Sequence, residues 1–209
     1  ARFYRAAGWG EAVQLPLWTP GFGCQAVPTL AAVIEQDRAL QQACEAAHPG
    51  QHSHVARLLE HHNHYMHLTG FRLSLLLALR ETQAMGITAD VHEDRDRWIA
   101  VHDKDVHGRD YPLPMPLARF TSETLAMLRA HVRALRARLI PLGENASELA
   151  RWCLQVSQHQ PAVLLMVCQT PASLRPLATR DLVGDTLAPD WGRKFMENAL
   201  RNEGLKATE

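Results

Sequence analysis

The sequence predicts an α+β domain, mainly α, with a small three-stranded antiparallel sheet on a helical body. Two observations predict it. Apolar residues recur at helical spacing over most of the chain from Thr29 onward, and one region alone, Ile87 to Leu113, breaks into short β-rich runs separated by polar turns. At 209 residues the chain has room for one substantial domain, or one domain with an arm. The longest apolar run, Leu73 to Leu79, ends at Arg80 and is about half a membrane span, so no transmembrane helix and no membrane partner is expected.

Residues 1–27 hold Gly8, Trp9, Gly10, Pro16, Trp18, Pro20, Gly21 and Gly23, which suit neither a long helix nor alternating strands. They read as an arm or interdomain linker pinned by its aromatics, with 28–209 as the domain proper. Leu30, Val33, Ile34, Leu40 and Cys44 predict a first helix, ended by Pro49-Gly50. A second helix is expected over about His52–His67. Thr69-Gly70 punctuates, and a third, buried helix is expected over about Phe71–Met85. The three strands are read at Ile87–Val91, Trp98–His102 and Asp110–Leu113, with Pro112 and Pro114 restricting the last to a sheet edge. Trp98, on the middle strand, is assigned to the core.

Leu125, Leu128, Val132, Leu135 and Leu139 form the apolar stripe of a long helix over about Ser122–Leu139, stopped by Pro141 and Gly143. Asn145–Gln158 and Pro161–Cys168 read as two more helices, the second fully buried. Ser173–Leu182 is mixed. A closing helix is expected over about Trp191–Asn202, with Gly204 as its cap.

Cys24, Cys44, Cys153 and Cys168 show no CxxC spacing, which argues against a zinc site or a disulfide framework and fits a reducing cytoplasm. The 22 basic residues equal the 22 acidic ones, so any nucleic-acid contact would be a local basic cleft rather than a basic surface. The start, Ala1-Arg2-Phe3-Tyr4-Arg5, lacks an initiator Met and an apolar signal core, and reads as a piece of a longer protein.

Chemistry concentrates first at Thr69-Gly70-Phe71-Arg72-Leu73-Ser74, followed by a buried run ending in Ala78-Leu79-Arg80. An Arg one residue into a helix after a Gly turn would sit at the positive helix end, where its fork can grip a phosphate. A structural Arg paired with a carboxylate satisfies the same residues. The second signal is Trp98-Ile99-Ala100-Val101-His102-Asp103-Lys104, then Gly108-Arg109-Asp110-Tyr111-Pro112-Leu113. Together these segments resemble the first arginine box and the lysine hairpin of the tyrosine recombinase (phage integrase) family, in the family's order and distance. The likeness covers roughly residues 28–205 and is strongest over 66–114.

The resemblance implies a recombinase-type catalytic domain acting on double-stranded DNA as a homo-oligomer, a tetramer in the full-length protein, in the nucleoid-associated cytoplasm and with no cofactor or metal. It implies that Arg72 holds the scissile phosphate and that Lys104 is the general acid to the leaving 5′ oxygen, a role suited to an ammonium rather than a guanidinium. The third family box, His-x-x-Arg-His, corresponds to Asp190-Trp191-Gly192-Arg193-Lys194, so Arg193 would be the second phosphate arginine. Asp190 and Lys194 stand where the two His are expected, and Leu75 where a Glu is usual. The family's Gly-His pair and nucleophilic Tyr do not occur, since Tyr4, Tyr65 and Tyr111 lie in other segments. A decayed relative that holds DNA without cutting it is therefore the alternative, and a helical interaction module with no nucleic-acid role is a third.

Two further patterns stand apart. Glu60 to His67 contains four His, but the spacing provides no third ligand for a catalytic metal, so it reads as a polar helix face. Arg129, Arg133 and Arg136 fall at i, i+4 and i+7. This stripe would track a DNA backbone, together with Arg109 and Lys194, or else form a solvated face balancing the helix dipole.

Overall fold

The computed structural model describes residues 28–50, 53–77, 86–89, 98–101, 113–178, 181–182 and 191–202. The expected arm over 1–27, Lys104, Arg109 and Gly204 lie outside the described residues. The described chain is mainly helical, with two small antiparallel sheets of two strands each.

Helix α1 (Leu30–Ala46) starts where Thr29 accepts a hydrogen bond from the Ala32 amide through its hydroxyl, at 3.2 Å, satisfying one of the open amides of the first turn. Helix α2 (Val55–Leu76) runs unbroken for 22 residues. The sequence pattern divides this stretch at Thr69-Gly70, and the structure corrects that reading. Gly70 is an interior helical residue: a Cβ there would lie 2.5 Å from Leu177 Cδ2 and 3.3 Å from Leu182 Cδ2. Glycine costs about 1 kcal/mol of helix propensity, but here it admits a close neighbour rather than making a turn. Leu68, Thr69, Gly70, Phe71, Leu73 and Ser74 are all buried, because α2 is enclosed by neighbouring elements over this length.

The hairpin pairs β1 (Trp98–Val101) with β2 (Leu113–Pro116) in the register Trp98↔Pro116 to Val101↔Leu113. Its second strand lies later in the chain than Asp110–Leu113. Of the strand expected over Ile87–Val91, the described residues 87–89 do not join the hairpin. Thr88 forms a single bridge to Val163, with the Ala89 amide donating to Ala162 O and the Leu164 amide to Ile87 O, each at 2.8 Å. Ile87 and Ala89 are thereby buried in the main core, which the hairpin register does not offer them.

Helix α3 (Arg119–Leu139) ends in a short 3-10 turn, Ile140–Leu142, and Gly143 closes that turn at φ +82°, a left-handed conformation that glycine adopts without strain. Helix α4 (Glu148–Ser157) is capped by Ser147. The next segment is not the buried helix expected over Pro161–Cys168. It is extended and leads into β3 (Met166–Thr170), which pairs with β4 (Ser173–Pro176). A short apolar run does not distinguish a buried strand from a buried helix, and partners decide here. Trp152 Nε1 donates to Val163 O at 2.8 Å, and Leu177 N donates to Leu165 O at 2.9 Å. Helix α5 (Trp191–Asn202) matches the expected closing helix.

Helix α2 is the centre of the molecule. It packs against α1, α3, β3 and α5, while α4 packs against α3. Phe71, Met66, Leu73 and Leu58 of α2 are completely buried, each contributing about 1.5–3 kcal/mol by leaving water. No described helix is long and apolar enough to cross a membrane.

Candidate functional site

Arg72 sits in the last turn and a half of α2, not at a helix N-terminus. The physical basis for a dipole-assisted phosphate grip is therefore absent at this position, since α2 presents carbonyls rather than amides at that end. The guanidinium is instead held by α1. Nε donates to Asp37 Oδ1 at 2.7 Å, Nη2 to Asp37 Oδ2 at 3.0 Å, and Nη2 also reaches Gln41 Oε1 at 3.4 Å. This two-point pair, one-third exposed on both partners, raises the Arg72 pKa still further, chiefly through the hydrogen bond to Asp37. The structural-pair arrangement allowed by the sequence is thus present. Among the described residues these bonds use Nε and Nη2, leaving the Nη1 edge of the fork out of them.

The beginning of α5 docks beside this end of α2. Trp191 is buried and stacks on Phe71 with ring centroids 4.7 Å apart, and a Cβ on Gly192 would lie 2.8 Å from Ser74 O. The chain positions adjoining Arg72 and Arg193 are therefore in contact, with Arg193 exposed and Lys194 half-buried. Arg72 also lines a shallow cavity of about 350 Å³, together with Leu75, Leu76, Phe120, Glu123, Thr124 and Met127.

The arginine stripe on α3 is not continuous. Arg129 is 5% exposed while Arg133 is exposed and Arg136 half-buried, because Arg129 follows Leu128 into the boundary of the core. Arg138 serves a different end, donating to the Pro49 and Gly50 carbonyls and fastening α3 to the α1–α2 connection.

A second polar assembly, read in the sequence only as a polar helix face, lies near the middle of α2. Asn63 Nδ2 donates to Cys168 O at 2.8 Å and its Oδ1 accepts from Cys168 N at 2.9 Å, so one side chain supplies β3 with a strand-like partner. His62 is fully buried. A carbonyl only accepts, so His62 Nε2 carries the hydrogen directed at Met166 O, 3.1 Å away. In the neutral ring Nδ1 then accepts, and His131 Nε2 donates to it across 3.2 Å. Burial keeps both rings neutral, pushing His62 down to about 3 and His131 down to about 2. The rings of Tyr65 and His131 stack at 3.9 Å, only 6° from parallel. Among the described residues no three metal-ligating side chains gather. Asp37 and His131 are the partners sequence spacing could not identify, because each lies dozens of residues from the group it serves.

No family model matches the chain, and no curated protein or solved structure matches it significantly.

Proposed function

We propose that the chain is part of a site-specific DNA recombinase of the integrase type, binding a backbone phosphate at the corner where α5 meets the end of α2. The observation that supports this reading is the seating of Trp191 and Gly192 on Phe71 and Ser74, which makes the two arginine-bearing segments neighbours. Arg72 would offer the Nη1 edge of a guanidinium already oriented by Asp37, and Arg193 an exposed second fork. Lys104, by the family resemblance, would protonate the leaving oxygen. This chain would contribute phosphate binding and not the nucleophile, with strand cleavage belonging to the full-length protein. The alternative, a relative that holds DNA without cutting, is favoured by the Asp37 carboxylate, which engages two of the three guanidinium nitrogens.

A labelled duplex titrated with the chain at low salt tests the binding step. Arg72→Ala and Arg193→Ala should each weaken binding about tenfold and lower the salt slope by about one, as expected for the loss of one phosphate contact. Absence of binding by the unaltered chain overturns both nucleic-acid readings. A covalent protein–DNA link formed by the full-length protein on a nicked substrate separates the recombinase from the silent binder.

A further inference from the structure

Helices α1, α2 and α3 form an open cavity of about 540 Å³ away from the α2–α5 corner. Its volume lies within the range of small-molecule sites. One wall is apolar, formed by Leu58, Met127, Ala130, Ala134 and Leu135. The other is a run of rings: His48 stands 5.1 Å from His61 at 69°, His61 stands 5.3 Å from His131 at 60°, and Tyr65 lies flat on His131.

The charged groups on the lining already have partners. Arg138 is engaged by the Pro49 and Gly50 carbonyls, and Glu45 accepts from Gln41 Nε2 at 2.8 Å. What faces the cavity is mainly apolar, with the ring nitrogens among its few polar atoms. Burial lowers the pKa of His61 as well as that of His131, so these imidazoles present lone pairs rather than cations. Because His131 donates through Nε2 to His62, its remaining ring nitrogen, Nδ1, is an acceptor.

We propose that this cavity binds a small, uncharged, planar heteroaromatic molecule bearing an N–H or O–H donor, which stacks against the ring wall and donates to His131 Nδ1. A quadrupole-matched edge-to-face wall prefers such a guest over an aliphatic one of equal size. An anion gains little there, since the Arg138 guanidinium shares the lining with the Glu45 carboxylate and the two formal charges offset each other. The inference is independent of the DNA reading.

Benzimidazole is the probe, with cyclohexanol and benzoate as comparisons, followed by ligand-observed NMR and by the ¹⁵N shift of His131 Nδ1. Benzimidazole should bind with a Kd of about 1 mM or tighter, in keeping with what a ligand of its size can gain, and should move the Nδ1 resonance. Ala134→Trp, at an exposed position on the rim, should weaken binding about tenfold by filling the cavity. Ala130→Trp, also exposed, serves the same purpose if the first variant loses its helical circular dichroism. The proposal is overturned if benzimidazole does not bind, if it binds a folded Trp variant equally well, or if cyclohexanol or benzoate binds as tightly.

Discussion

The two polar stretches of α2 solve opposite problems. Around His62 and Asn63 the polar atoms are buried, neutral and joined by hydrogen bonds to β3 and α3. At Arg72, two and a half turns on, the side chain is one-third exposed, charged and joined to a carboxylate on α1. A buried neutral group loses heavily when its partner is removed, because the remaining atom has no water to turn to. A partly exposed ion pair loses less, because solvent can replace the partner. The first stretch is therefore built for cohesion. The second is held by a partly exposed pair, whose partner solvent can replace.

The sharpest way to break this contrast is Asn63→Leu. It strands the amide and carbonyl of Cys168 and should lower stability by about 3 kcal/mol in urea unfolding; a loss near zero would mean that β3 does not depend on this bridge. Gly192→Ala comes next. Its Cβ would meet the Ser74 carbonyl, a backbone atom with little freedom to move, so a loss of about 2 kcal/mol is expected. The same variant should weaken DNA binding as much as Arg193→Ala if the α2–α5 corner is the phosphate site.

Acid provides a third probe. The folded pKa values of His62 and His131 lie below the unfolded 6.5, so the unfolded chain binds more protons once the pH drops under that value. Stability from these rings is complete above about pH 7 and falls on acidification by about 1.4 kcal/mol per pH unit for each ring, between pH 6 and 4. His61 and His67, also lowered by burial, add to the slope. His131→Gln keeps a donor for His62 and removes one titrating ring, so a shallower acid slope in denaturant melts is the expected result.

The smallest effect on stability belongs to Asp37→Asn. Unfolding should change by about 1 kcal/mol or less, as for partly exposed pairs generally. DNA affinity should nevertheless rise, since the guanidinium loses its resident anion. Unchanged affinity would identify Arg72 as a purely structural residue.

Periodicity made the long elements legible. The stripe from Leu125 to Leu139 defined α3, and Pro141 and Gly143 marked its end, because a 3.6-residue repeat over about four turns has no other reading. The limits of α5 match those expected, whereas α4 begins at Glu148, three residues after the expected start at Asn145. The residues that resemble the two arginine boxes were also visible as a linear pattern. What tertiary structure decided is how Gly70 and Arg72 are used. Thr69-Gly70 resembles a turn on local grounds, but the close approach of Leu177 and Leu182 makes glycine a packing residue in a continuous helix. That continuity moves Arg72 from the start of a helix to the end of one, and Asp37, 35 residues earlier, becomes its partner. The run from Pro161 to Cys168 became a bridge at Val163 followed by the start of β3 for a related reason: Trp152 and Asn63, distant in sequence, supplied hydrogen bonds its backbone needed. Local patterning determines which face of an element is apolar. Which charged or polar group meets which partner depends on long-range packing, and no spacing along the chain records it.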